Sequence, residues 1–242
     1  MASVAAPKSG AATPKKSVAS PKRGVASPKD GAKRAKAEMY RRLVLEAAER
    51  TFAERGFEVA KIQDIAQAAG LAPGTLYTVF PGKQEIYAAI QEQRGREIFE
   101  RIYAAIQGYE SVVDACRRGI DAYVRSLAER PFFLRMHLRE GISWTSPSGR
   151  RSGEEVANWQ RGTTLAAGIL QMGIDRGYLV ADDPPEVLLK MLVAAHQVQL
   201  QDWLDRGADA GEIGALIARM QSHFVRAFVR ADGEIPAAPS AR

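Results

Sequence analysis

The chain has 242 residues, 46% of them apolar, 26% charged and 7% aromatic, with a formal net charge of +6. That length allows one large domain or two small ones, and few aromatics with abundant alanine and leucine favour helix over sheet. The lone cysteine, Cys116, excludes an intramolecular disulfide framework and a cysteine-rich zinc site, the three histidines (His137, His196, His223) show no metal-ligand spacing, and no apolar run is long enough to span a membrane.

The N-terminal stretch repeats a seven-residue unit, with Pro7, Pro14, Pro21 and Pro28 each followed by lysine. It lacks large apolar residues, so residues 1–33 are expected to be a disordered basic tail. Residues 1–36 hold nine Lys/Arg against one acid, Asp30, a charge of +8 that leaves −2 for the rest. Such asymmetry points to a polyanionic partner. The segment has no apolar h-region and is no signal peptide, which favours a cytoplasmic location.

From about Ala35, apolar residues at helical spacing (Tyr40, Leu43, Val44, Ala47, Ala48, Phe52) predict a helix stopped by Gly56. Residues 61–80 read as two short helices broken at Gly70, where a positive φ is expected. Ile65 and Ala66 face inward, Leu71 plugs the gap, and Leu76 and Phe80 hold the second helix to the first. A long amphipathic helix follows over 83–107 and ends at Gly108. Ser111 with Asp114 starts the next, which runs to about Glu129, and Pro131 opens a short one. After a loop at 141–149, Ser152 and Glu155 mark a helix running to Gly177. Asp183 as N-cap with Pro184 at the first position starts a helix reaching about Arg206, and a last one spans about 210–229. No convincing strand is present, so the fold class is all-α with about nine helices.

The order helix, tight turn, helix at 62–80 is that of a helix-turn-helix. The stretch "LVLEAAERTFAERGFEVAKIQDIAQAAGLAPGTLYTVFPGKQEIYAAI" (43–90) resembles the DNA-binding domain of the TetR family of transcriptional regulators. The resemblance rests on Ala47-Ala48, Phe52, Gly56-Phe57, Asp64-Ile65-Ala66, Ala69-Gly70, the run Gly74-Thr75-Leu76-Tyr77, Phe80 and Lys83. It implies an Ω-shaped, all-helical homodimer, with residues 34–82 as the DNA-binding domain and 83–231 as the ligand-binding and dimerisation domain; the Pro/Ala-rich residues 232–242 are expected to be a disordered tail. It also implies that Thr75, Tyr77 and Lys83 contact phosphates, that Gln63 contacts a base or phosphate, and that Pro73, Gly74 and Thr78 read base edges. Lys61 stands where the family has a Ser/Thr cap. The cap is lost, at about 1 kcal/mol, and a lysine there can reach a phosphate instead. Plainer readings stand beside these: Tyr77 as core, Lys83 paired with an acid of its own helix, Gln63 as solvated surface.

The effector site is expected among Phe133, Met136, His137, Trp144 and Trp159, with Arg135 and Arg139 available to an anionic ligand. Leu192, Val198, Trp203, Met220 and Phe224, on two strongly apolar helices, are expected to meet a partner chain; the plainer reading is that both helices fill their own core. No nucleophile–base pair, metal cluster or phosphate-binding loop is visible, and Gly70 to Gly74 lacks the lysine of a P-loop. The expectation is a regulator without cofactor or enzymatic activity, binding double-stranded DNA as a dimer, with a small-molecule effector and no membrane partner. The second reading is a nucleoid-type architectural DNA-binding protein that uses the "TPKK" and "SPKR" repeats of its tail.

Overall fold

The computed structural model of the protein describes residues 28–139, 154–180 and 182–230, with side chains from residue 31 and, in the helix beginning at 154, from residue 160. The described residues divide into two units, one ending at residue 36 and the other beginning at residue 37. In the first, residues 28–36 are helical, and 31–36 are exposed. The repeat up to residue 27, the loop at 141–149, the Ser152 cap and the tail at 232–242 lie outside the described residues.

Nine α-helices are present among the described residues: α1 Pro28–Arg55, α2 Ile62–Ala68, α3 Pro73–Tyr77, α4 Lys83–Ala105, α5 Val112–Ala128, α6 Pro131–Arg139, α7 Glu154–Asp175, α8 Pro185–Asp205 and α9 Ile213–Phe228. The fold class is all-α, and the one extended pairing among these residues is an isolated antiparallel bridge between Leu179 and Val229. α1 starts at Pro28, earlier than the expected Ala35; Pro28, the last proline of the repeat, suits a first helical position, and the good helix formers run from Ala32 to Glu38. α8 starts one residue later than expected. Pro185 bars helical geometry at the residue before it, so Pro184 is extended (ψ 147°) and becomes the N-cap.

In the unit of residues 37–242, α5 is the central helix, packed against α4, α6, α7 and α9. Ser111 caps it, its Oγ accepting from the Asp114 N–H at 3.1 Å. Its buried residues Val113, Ile120, Val124 and Leu127 recur at helical spacing and join one core with Phe52, Leu76, Phe133, Leu200 and Phe224. The turn after α7 is fixed by two features. Gly177 takes φ +75°, and the Tyr178 N–H reaches back to the Gly173 carbonyl at 2.9 Å. Val180 then donates to the Phe228 carbonyl at 2.9 Å and Arg230 to the Tyr178 carbonyl at 3.0 Å, which ties this turn to the end of α9.

Candidate functional site

The helix-turn-helix is built as its sequence dictates. Gly70 takes φ +68°, and the Leu71 N–H returns to the Ala66 carbonyl at 2.9 Å, closing α2 and turning the chain toward α3. Ile65, Ala66 and Leu76 are fully buried, so α2 and α3 are clamped to the core through one face each. The opposite faces carry Lys61, Gln63, Pro73, Gly74, Tyr77 and Thr78, all exposed, with Thr75 half-buried. Tyr77 is 52% exposed and therefore not core. The Thr78 hydroxyl donates to the Thr75 carbonyl at 2.6 Å, which aims its oxygen lone pairs outward as acceptors. Lys61 occupies the N-cap of α2 without capping it. Half of a capping box survives: Asp64 accepts the Lys61 N–H at 3.2 Å, and Arg55 braces that carboxylate at 2.9 Å.

Lys83 departs from the role the resemblance implies. Its Nζ donates to the carbonyls of Phe57 (2.8 Å), Glu58 (3.0 Å) and Ala60 (3.3 Å) and stands 4.7 Å from the centre of the Phe57 ring. Three donors meet three acceptors, so the ammonium straps the α1–α2 connection to the start of α4. The spacing of Lys83 from Tyr77 could not show this, because the acceptors are backbone atoms some 25 residues away.

A cavity of about 670 Å³ lies in the second unit, walled by α4, α5, α6, α7 and α8. Ile98, Phe99, Ile102, Ile120, Leu165 and Leu189 make much of the lining. Gly162 and Gly168 of α7 stand in the same wall, where the missing side chains leave room. Of the expected effector residues, Phe133 and His137 line this space. Met136 is buried in the core and is not part of the lining. Trp144 lies outside the described residues, as does the side chain of Trp159. Arg135 is exposed, and Arg139 donates to the carbonyls of Phe52 (3.1 Å) and Glu54 (3.5 Å), anchoring α6 on the end of α1 rather than serving an anion.

The polar end of the cavity is a group the sequence did not mark as a group. Tyr123 Oη lies 3.1 Å from His137 Nε2, and the His196 ring stands 6.2 Å from that of Tyr123. Burial, with repulsion from His223 second, lowers the His196 pKa to about 4, so its ring is neutral near pH 7. Burial pushes the Cys116 thiol, also in the lining, up to about 12, where it stays protonated.

The expected partner-facing residues divide. Trp203, Met220 and Phe224 lie in the chain's own core, and Trp203 Nε1 is satisfied by the Asp209 carbonyl at 3.0 Å. This corrects their assignment: helical spacing marks an apolar face but not what covers it. Leu192 lines the cavity, and Val198, 71% exposed, is the one of the five that faces outward. Val187 and Met191 of α8 share its stripe, and Val225 is exposed on α9.

Residues 44–90 match the family model for bacterial regulatory proteins of the tetR family. Over 221 residues, 87% of this chain and 74% of the relative, the sequence is 26% identical to the A-factor receptor protein of Streptomyces griseus. A stretch of 100 residues, 41% of this chain, is 26% identical to an uncharacterized HTH-type transcriptional regulator, YuxN, of Bacillus subtilis (strain 168), and spans 34% of that relative. In fold, the chain is similar to the ketosteroid transcriptional regulator KstR2 of Mycobacterium tuberculosis, with a TM-score of 0.63 at 18% identity, over 78% of this chain and 95% of that one.

Proposed function

The chain belongs to the TetR family of transcriptional regulators, and from that premise we propose that it acts as a dimeric repressor of a near-palindromic operator, released by a small-molecule effector. In this reading residues 34–82 bind DNA and 83–231 hold the effector and the partner chain. Gln63, Thr75 and Tyr77 contact the backbone, and Pro73, Gly74 and Thr78 lie against base edges. Lys61 adds a phosphate contact, whereas Lys83 acts by holding the reading head to α4.

The observation that carries the proposal is that one helix serves both ends. The first residue of α4 grips the carbonyls that precede α2, while residues 91–106 of the same helix wall the cavity. A molecule that shifts α4 on entering the cavity therefore shifts the support of α2 and α3. The name of the Streptomyces griseus relative, a receptor for A-factor, supports a small molecule as that effector. The exposed stripe Val187, Met191 and Val198 of α8, beside Val225 of α9, supports pairing of two copies through these helices.

The test is selection of bound fragments from genomic DNA by the purified chain, followed by footprinting and sedimentation. The expected result is one dimer on a site with two related half-sites. A monomer with no preference for any fragment over scrambled competitor overturns the proposal.

A further inference from the structure

We propose that Arg41 of α1 is a phosphate contact of the DNA-binding face, its guanidinium set in place by the ring of Phe80. The inference rests on the proposed function and adds to that interface a residue from a helix other than α2 and α3.

Two observations carry it. The first is where Arg41 sits. Its guanidinium carbon stands 4.5 Å from the centre of the Phe80 ring, and the residue is half-buried. Phe80 is itself buried, and its N–H closes the turn after α3 on the Leu76 carbonyl at 3.0 Å. It follows closely on Tyr77 and Thr78, which are exposed. Arg41 therefore covers the end of the segment that reads DNA under the proposed function. A helix lying in the major groove has a sugar–phosphate strand along either wall, so a cation at its end meets phosphate oxygens rather than base edges.

The second is how the cations around α2 and α3 are engaged. The Lys83 ammonium is divided among three carbonyls, and Arg55 is held by Asp64 at 2.9 Å. Arg42, next in the chain, leans toward Glu46 at 4.0 Å. Arg41 differs from all three. Among the described residues no hydrogen bond or ion pair engages its guanidinium, and the ring of Phe80 is its close partner. A ring face attracts the charge but offers no lone pair, so the N–H donors remain for an oxygen-rich anion. A phosphate matches both the charge and the forked donors of a guanidinium. The ring also restricts the side chain before DNA arrives, so less freedom is lost on binding.

The experiment uses the full chain with the DNA fragment it selects and a scrambled competitor, in gel-shift titrations from low to high salt. Arg41→Gln is expected to weaken binding by about tenfold at low salt, by a similar factor on both DNAs. It should also flatten the salt slope by about 0.9 log unit, the share of one phosphate. Arg41→Lys keeps the charge and loses the fork, so it should keep the slope and recover part of the affinity. Thermal melts of both variants, expected to stay close to the natural chain, separate this from a change of fold. An unchanged slope in Arg41→Gln, or an Arg41→Lys chain as weak and as flat in slope as Arg41→Gln, overturns the inference while leaving the operator reading in place. A natural chain that prefers no fragment over the competitor removes that reading and the inference with it.

Discussion

Arg94 of α4 donates through Nε to Oε2 of Glu49 on α1 at 2.8 Å, and its Nη2 lies 2.8 Å from the same oxygen, with both side chains about nine-tenths buried. The remaining prong, Nη1, reaches Glu97 at 3.0 Å, and Glu97 is also 3.0 Å from Arg130, the residue just before α6. A line of alternating charge thus joins α1, α4 and the start of α6. Removing one member leaves a buried charge unpaired. Arg94→Met is expected to cost about 3–5 kcal/mol in urea unfolding, and the double change Glu49→Leu with Arg94→Met much less. Equal losses in the single and double variants would show that the pair is not what the stability depends on.

Lys83 and Tyr77 are expected to fail in different ways. Lys83→Met removes a charged donor from three carbonyls and is expected to lower stability by about 1.5–3 kcal/mol, with little change in the salt dependence of DNA binding. Tyr77→Phe removes one hydroxyl from an exposed ring, so stability should hold while operator affinity falls. Thermal melts beside gel-shift titrations of both variants separate the strap from the hydroxyl proposed to contact DNA.

The pH dependence of stability follows from His196. Its folded pKa, about 4, lies below the ordinary value of 6.5, so between these values the unfolded chain binds more protons. The contribution is fully present above about pH 6.5 and is lost as pH falls toward 4, to a total of about 3 kcal/mol. Urea midpoints of the natural chain and His196→Leu across pH 4–8 check this. The natural chain should lose more stability on the acid side, and parallel curves would show that His196 does not titrate in this window.

Gly173 is fixed by its neighbours. A Cβ added there would lie 2.6 Å from Leu179 Cδ1 and 2.9 Å from Val112 Cγ1. Gly173→Ala must displace the turn that α7 makes toward α9, at about 1–3 kcal/mol, despite alanine's better helix propensity. A variant as stable as the natural chain in chemical unfolding would show that the Leu179 side chain moves aside freely.

The reading head is nearly without charge. Residues 61–82 contain one cation, Lys61, and one acid, Asp64. Under the proposed function, nonspecific attraction to DNA then rests on other segments, and residues 1–27 carry five Lys/Arg and no acid. Deleting residues 1–27 is expected to weaken binding about equally on all sequences. It should also flatten the salt slope by up to about 0.9 log unit for each phosphate that the tail neutralises. An unchanged slope in titrations from low to high salt would show that the tail does not touch DNA.

Local chemistry made the helix-turn-helix legible: a glycine at the turn, small and branched residues at 65 and 66, and leucine at 76 are each required by backbone or packing within twenty residues of one another. Helix ends set by Gly56 and Ser111 were readable for the same reason. The cavity was not, because its wall joins Ile102, Cys116, Leu165 and Leu189 from four helices, and nothing in the periodicity of one helix says which neighbour leaves a gap beside it. Trp203 and Phe224 were misread on the same ground, since an inward and a partner-facing apolar stripe look alike until the third helix is placed. His196 carried no signal in sequence at all, since it is an isolated histidine on a helix whose polar surroundings come from α5 and α6.

Cys116, the sole sulfhydryl of the chain, sits in the lining of the chamber, held in its unreactive form. Copies of the protein are therefore expected to crosslink slowly in air near pH 7. The rate at which a maleimide labels that single position becomes a measure of access to the chamber that needs no identified effector.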